Sequence, residues 1–145
     1  MKTILRIGIV VVLLCLIAFP IQAQDKEKKE TPYWYVSHFK IPWAKIDSLY
    51  KFEKEYTPAI VEEAKKQGTI LDYKMLLHHT GDEYNVVVMT KLPSWCSIEG
   101  TAWGWWTATY KTIEKDKKKI EKVLKARNWM FDGLIHKDLI YGEVE

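Results

Sequence analysis

The chain has 145 residues, 48% apolar and 28% charged, a balance that suits one packed domain and excludes disordered, collagenous and multi-span membrane chains. The formal charge of +3 falls to +1 once Lys2 and Arg6 are set aside with the segment they belong to. Phosphate neutralisation therefore gives no reason to expect a nucleic-acid partner.

Lys2 and Arg6 precede an uncharged apolar run from Ile7 to Phe19, Pro20 breaks any helix, and Ile21-Gln22-Ala23 presents a small residue to a signal peptidase. The expectation is an export signal over residues 1–23, removed to leave 122 residues in the periplasm or outside the cell. Its apolar run falls short of the roughly 20 residues that span a bilayer, so no stable membrane span is expected after cleavage. Cys15 lacks the small preceding residue of a lipidation site. Cys96 is then the sole cysteine, unable to form an intramolecular disulfide, and with no cation nearer in sequence than Lys91 it is expected to be buried or inert.

Residues 24–32 are charged or polar and read as a flexible leader to a single α+β domain over 33–145. Tyr33 to Ile41 (YWYVSHFKI) is aromatic and β-branched, as a strand requires, and Pro42 ends it. From Trp43 to Gln67, Ile46, Leu49, Phe52, Tyr56, Ile60 and Ala64 recur in steps of three and four, the spacing of one helix face. Pro58 predicts a kink there, with Thr57 capping the second half and Gly68 as the stop. Glu53, Glu55, Glu62 and Glu63 read as its solvated side.

Ile70 to His79 and Tyr84 to Lys91 read as two strands of a hairpin turned at Gly81. The segment 92–104 is undecided, with Pro93, Gly100 and Gly104 favouring loop, although four of the seven tryptophans stand at 95, 103, 105 and 106. A second helix is predicted over Trp105 to Asn128, with Trp106, Tyr110, Ile113, Ile120, Val123 and Leu124 inward. Its solvated face carries Lys111, Lys115, Lys118, Lys119, Lys122 and Lys125. Asp138 to Val144 reads as a short final strand.

This order, β-α-β-β-α with a marginal last strand, is that of a ferredoxin-like α+β sandwich. The export signal, the YWYVSHFKIP strand, the helix carrying EKEYTPAIVEEAKKQG and the ILDYKMLLHH strand resemble uncharacterised exported proteins of the dimeric α+β-barrel superfamily. The superfamily includes antibiotic-biosynthesis monooxygenases, haem-degrading and haem-binding proteins and stress-responsive barrel proteins. The resemblance covers residues 33 to 91 and is one of layout, and no catalytic motif of those enzymes is matched residue by residue. It implies a homodimer, and either no cofactor or haem. Independently, Met75-Leu76-Leu77 and Val86-Val87-Val88-Met89 are apolar at successive positions, so both sheet faces are expected to be covered. A second copy of the chain is one cover, and the tryptophan segment folded back is the other.

In the 4-1-3-2 strand order, His38 and His78 fall at one sheet edge about 9 to 10 Å apart, with Tyr84 and Asn85 opening the strand between them. That spacing suits two groups flanking a ligand better than one shared metal. Trp103 and Trp106, three residues apart, can share a helix face with Tyr110. The candidate binding set is thus His38, His78, Asn85, Trp103 and Trp106, around a small apolar or aromatic ligand held between sheet and helices. Three function classes follow: a binding domain; a cofactor-independent oxygenase or haem-handling protein with His38 or His78 as base or axial ligand; and an interaction module whose tryptophans only pack. No GxSxG, HExxH, phosphate-cradling loop or dinucleotide fingerprint is present, so hydrolase, zincin, kinase and Rossmann oxidoreductase readings lack their minimal parts.

Overall fold

The computed structural model describes residues 30–78, 83–102 and 104–142; the segments read as an export signal and most of a leader, the expected turn at Gly81, and Trp103 lie outside them. Strand β1 (Tyr33–Phe39) leads through Pro42 into helix α1 (Trp43–Lys66), and the hairpin follows as β2 (Asp72–Leu77) and β3 (Val86–Leu92). A short helix α2 (Cys96–Thr101), helices α3 (Trp105–Ile113) and α4 (Lys117–Phe131), and strand β4 (His136–Gly142) complete the chain. The sheet order β2-β3-β1-β4, all antiparallel between neighbours, is the ferredoxin-like arrangement anticipated from the element order.

Alternation divides the sheet cleanly. Tyr35 and Phe39 of β1, Tyr73, Met75 and Leu77 of β2, and Val86, Val88 and Leu92 of β3 belong to the core formed with Leu49, Phe52, Ile60, Trp106, Tyr110, Val123 and Met130 of the helices. The opposite face carries Trp34, Val36 and His38, flanked in register by Lys91, Met89 and Val87 on one side and Tyr141, Leu139 and Lys137 on the other. The tryptophan segment does not cover that face. Trp105 packs edge-on against Tyr73 and Trp106 stacks on Phe52, which puts both in the helix layer.

Four local readings need correction. Helix α1 is continuous through Pro58, so Thr57 begins no second half and caps nothing: its hydroxyl accepts a bond from the Trp106 indole at 3.2 Å. Pro58 is exposed, so its ring stands on the solvent side, where the carbonyl it leaves free costs least. The helix does stop at Gly68, whose φ of 70° allows bonds from Gly68 N to Lys65 O and Thr69 N to Ala64 O, a Schellman closure.

The predicted second helix is two. Glu114 leaves α3 in extended conformation, and Asp116 caps α4 by accepting from the Lys118 and Lys119 N–H groups. Lys119 Nζ at 2.6 Å, with the Asp116 and Lys115 N–H groups, pulls the Glu114 carboxyl down to about 2 and fastens the break. The last strand is neither short nor marginal. Gly133, with φ of 66°, turns the chain out of α4 early enough for β4 to pair with β1 over seven residues. Cys96 is exposed at the start of α2 rather than buried.

Candidate functional site

A cavity of about 450 Å³ lies between the helix-facing side of the sheet and helices α3 and α4. Its origin is a size mismatch among the strand residues below. Ser37, Val88 and Thr90 are small and adjoin in register, whereas Tyr35, Tyr73 and Phe39 around them are large and hold the helices off. The walls are mostly aromatic, with Trp105 and Trp106 from α3 and Phe131 from α4. Such a lining with a few convergent polar groups is the usual make-up of a small-molecule site.

The polar groups fall into three sets. Glu53, from α1, accepts from the Tyr73 hydroxyl at 3.1 Å and is hydrogen-bonded to Thr57. Burial raises its carboxyl above the ordinary range, against the pull of those two bonds and of Arg127. Burial and the adjoining Glu53 carboxylate together push the Tyr73 phenol well up, so it remains a hydrogen-bond donor. Arg127 projects from α4 with its guanidinium 5.1 Å from the Trp106 ring centre and 5.6 Å from that of Phe131. Its burial lowers the guanidinium below its usual value, offset by Tyr73 and Glu53. The third set is on β1 and β4. Ser37 Oγ donates to Asp138 at 2.7 Å, His136 Nε2 lies 3.5 Å from the same carboxylate, and Tyr35 is hydrogen-bonded to both Asp138 and Ser37. Desolvation raises the Tyr35 phenol, and the Asp138 charge adds to it.

Of the five residues singled out from sequence, Trp106 alone among the described ones lines this cavity. Trp103 lies outside the described residues. His38 is on the other sheet face beside Tyr84, ring centres 5.8 Å apart, with its Nδ1 buried and unpartnered. His78 is exposed beyond the end of β2, and since Leu76 shares a row with Val87 and His38, it is also displaced by two residues along the sheet. Asn85 is buried, and both ends of its amide are taken by the Ile41 backbone, each at 2.7 Å. The groups that the sequence reading missed are Glu53 and Arg127. Glu53 stands four residues after Leu49 and seven before Ile60, and Arg127 four after Val123 and seven after Ile120. A charge at heptad spacing inside an apolar stripe was the available signal.

Among the described residues no cluster of three or more His, Cys, Asp or Glu could hold a metal, and no helix is long and apolar enough to cross a membrane. No family model matches the sequence, and no curated protein matches it. Among solved structures, the chain is similar to a NIPSNAP family protein from Agrobacterium tumefaciens, at 14% identity over 80% of this chain and 89% of that one with a TM-score of 0.51. It is also similar to a candidate antibiotic biosynthesis monooxygenase from Caulobacter crescentus, at 17% identity over 81% and 93% with a TM-score of 0.48. A dimeric ferredoxin-like protein of unknown function from Thermobifida fusca follows, at 10% identity over 79% and 93% with a TM-score of 0.44. At these identities the likeness is one of fold alone.

Proposed function

We propose that the domain binds a small, largely apolar or aromatic molecule in the cavity between sheet and helices. The observation that carries this reading is the cavity itself, about 450 Å³ walled by Trp105, Trp106, Phe39 and Phe131 and set with only a few polar groups. Titration of the whole chain with flat aromatic compounds should quench tryptophan fluorescence and raise the melting temperature, by about 2.7 kcal/mol of added stability at a hundredfold excess over Kd. If a broad panel moves neither signal, the tryptophans only pack and the binding reading is wrong.

A cofactor-independent oxygenase is the second reading. It is favoured by Glu53, a half-buried carboxylate with raised affinity for protons at the cavity wall, where a general base for a bound phenol would stand. Oxygen uptake with a bound ligand, lost in Glu53→Gln, separates it from binding alone. Haem fits poorly. The histidines to which its ligation fell, His38 and His78, are not at the cavity, and the histidine that does line it, His136, is engaged with the Asp138 carboxylate at 3.5 Å.

We further propose a homodimer through the second sheet face. Val36 at its centre, with Met89, Val87, Leu139, Leu76 and Tyr141 around it, forms an apolar field, and Leu76 and Tyr141 are 52% and 50% exposed. Apolar surface of this kind usually marks an interaction face, and a two-fold partner presenting the same residues is the simplest complement. Light scattering at micromolar concentration should give twice the chain mass. A monomer at that concentration refutes it.

A further inference from the structure

Among the described residues Arg127 is the sole lysine or arginine lining the cavity, and its guanidinium has no ion-pair or hydrogen-bond partner there, although the Glu53 carboxylate acts on it through space. The ion pairs among the described residues are Lys65 with Asp72, Lys66 with Glu63, Lys119 with Glu114 and His136 with Asp138. None involves Arg127, and no hydrogen bond among the described residues reaches its guanidinium. What it touches is aromatic: Trp106 and Phe131 meet it at 5.1 and 5.6 Å. Stacking uses the flat face of a guanidinium and leaves its N–H edge available for a planar acceptor.

Glu53 shares the cavity and is the natural objection, since it would attract a cation. Its needs, however, are met by neutral donors, Tyr73 at 3.1 Å and Thr57 beside it, and it stays outside ion-pair distance of Arg127. The lining thus carries two carboxylates, Glu53 held by neutral donors and Asp132 exposed to water and in no ion pair with Arg127, and one guanidinium with no bonded partner. Charges withdrawn from water are normally bonded to a partner, and Arg127, half-buried at the cavity wall, is the charged group there without one.

We infer that Arg127 is the counter-ion for a ligand carboxylate, and that the cavity takes small aromatic carboxylates in preference to neutral or cationic molecules with the same ring. A carboxylate matches the guanidinium fork with two parallel bonds, and one cation balances one carboxylate where a phosphate dianion would need more. The ring would lie among Trp105, Trp106 and Phe39. This inference rests on the binding reading above.

The test is calorimetric titration of the whole chain with three probes that share one ring system: 1-naphthoate, 1-naphthalenemethanol and 1-naphthylmethylamine. Naphthoate is expected to bind about tenfold more tightly than the alcohol, as a charge-assisted bidentate bond implies, and the amine more weakly than either. Arg127→Gln should bring naphthoate to the level of the alcohol and leave the alcohol unchanged, and Arg127→Lys should recover part of the difference. Equal affinity of naphthoate and alcohol, tightest binding of the amine, or a proportionate loss of both probes in Arg127→Gln overturns the inference while leaving aromatic binding intact. Failure of all three probes overturns the binding reading itself. The ranking on the unaltered chain needs no variant, so it decides the matter even if Arg127→Gln folds poorly.

Discussion

Asn85→Ala is expected to cost about 2–4 kcal/mol, because it strips partners from two buried backbone groups at once. Asn85 is 2% exposed and Ile41 is 1% exposed, so neither can turn to water. The Asn85 amide donates to Ile41 O and accepts from Ile41 N, both at 2.7 Å, while its own N–H donates to Phe39 O at 3.0 Å and its carbonyl accepts from His78 N at 2.8 Å. The side chain thus acts as one more rung between β1 and β3, holding the chain where Pro42 opens α1. Alanine keeps the backbone bonds and leaves the Ile41 pair orphaned. Aspartate would keep an acceptor and place a charge against the Ile41 carbonyl, so its loss at neutral pH should match or exceed that of alanine. Its carboxyl would be raised in the folded state, and the protonated form can donate. Part of the stability should therefore be present below the ordinary carboxylate value and disappear as pH rises. Denaturant unfolding measures both. A loss under about 0.5 kcal/mol, typical of an exposed site, would show that the bracket is not holding the chain.

How much of this was legible in the sequence depends on the range of the interaction that fixes each feature. The strands and α1 follow from periodicity within one segment, and the stop at Gly68 from a single residue's φ. The break between α3 and α4 was hidden because Ile113 and Ile120, seven apart, keep one helix face across it, while the capping Asp116 stands in a lysine-rich run where it reads as a pairing charge. The placement of His38 was available from strand parity. Tyr35 and Phe39 are the large aromatics of the inward set, and His38 alternates with them. Glu53 and Arg127 were hard to read for another reason. A carboxylate or guanidinium faces water unless something distant receives it, and here the receivers, Tyr73 for Glu53 and Trp106 for Arg127, are about twenty residues away in each case. The second strand and the third helix had to be docked before either charge could be placed.

Trp106→Ala should cost about 3–5 kcal/mol, as removal of a large buried aromatic does, and should also degrade the cavity. Trp106 is 3% exposed and joins three elements. Its ring stacks on Phe52 of α1 with centres 5.6 Å apart, tilts against Tyr110 one turn on at 5.4 Å, and lies beneath Arg127 of α4 at 5.1 Å. Its Nε1 donates to Thr57 Oγ1 at 3.2 Å, and Thr57 in turn supports Glu53. Phenylalanine keeps most of the stacking area and loses the indole bond. Trp106→Phe should accordingly cost only about 1–2 kcal/mol, the sum of one buried hydrogen bond and a small packing defect. The two variants separate packing from polar support. A large loss for alanine with a small one for phenylalanine places the indole's weight in the layer between α1 and α4. Losses of similar size for both would put it instead in the chain from Nε1 through Thr57 to Glu53, and a loss under about 1 kcal/mol for alanine would mean that the helices close over the gap without it.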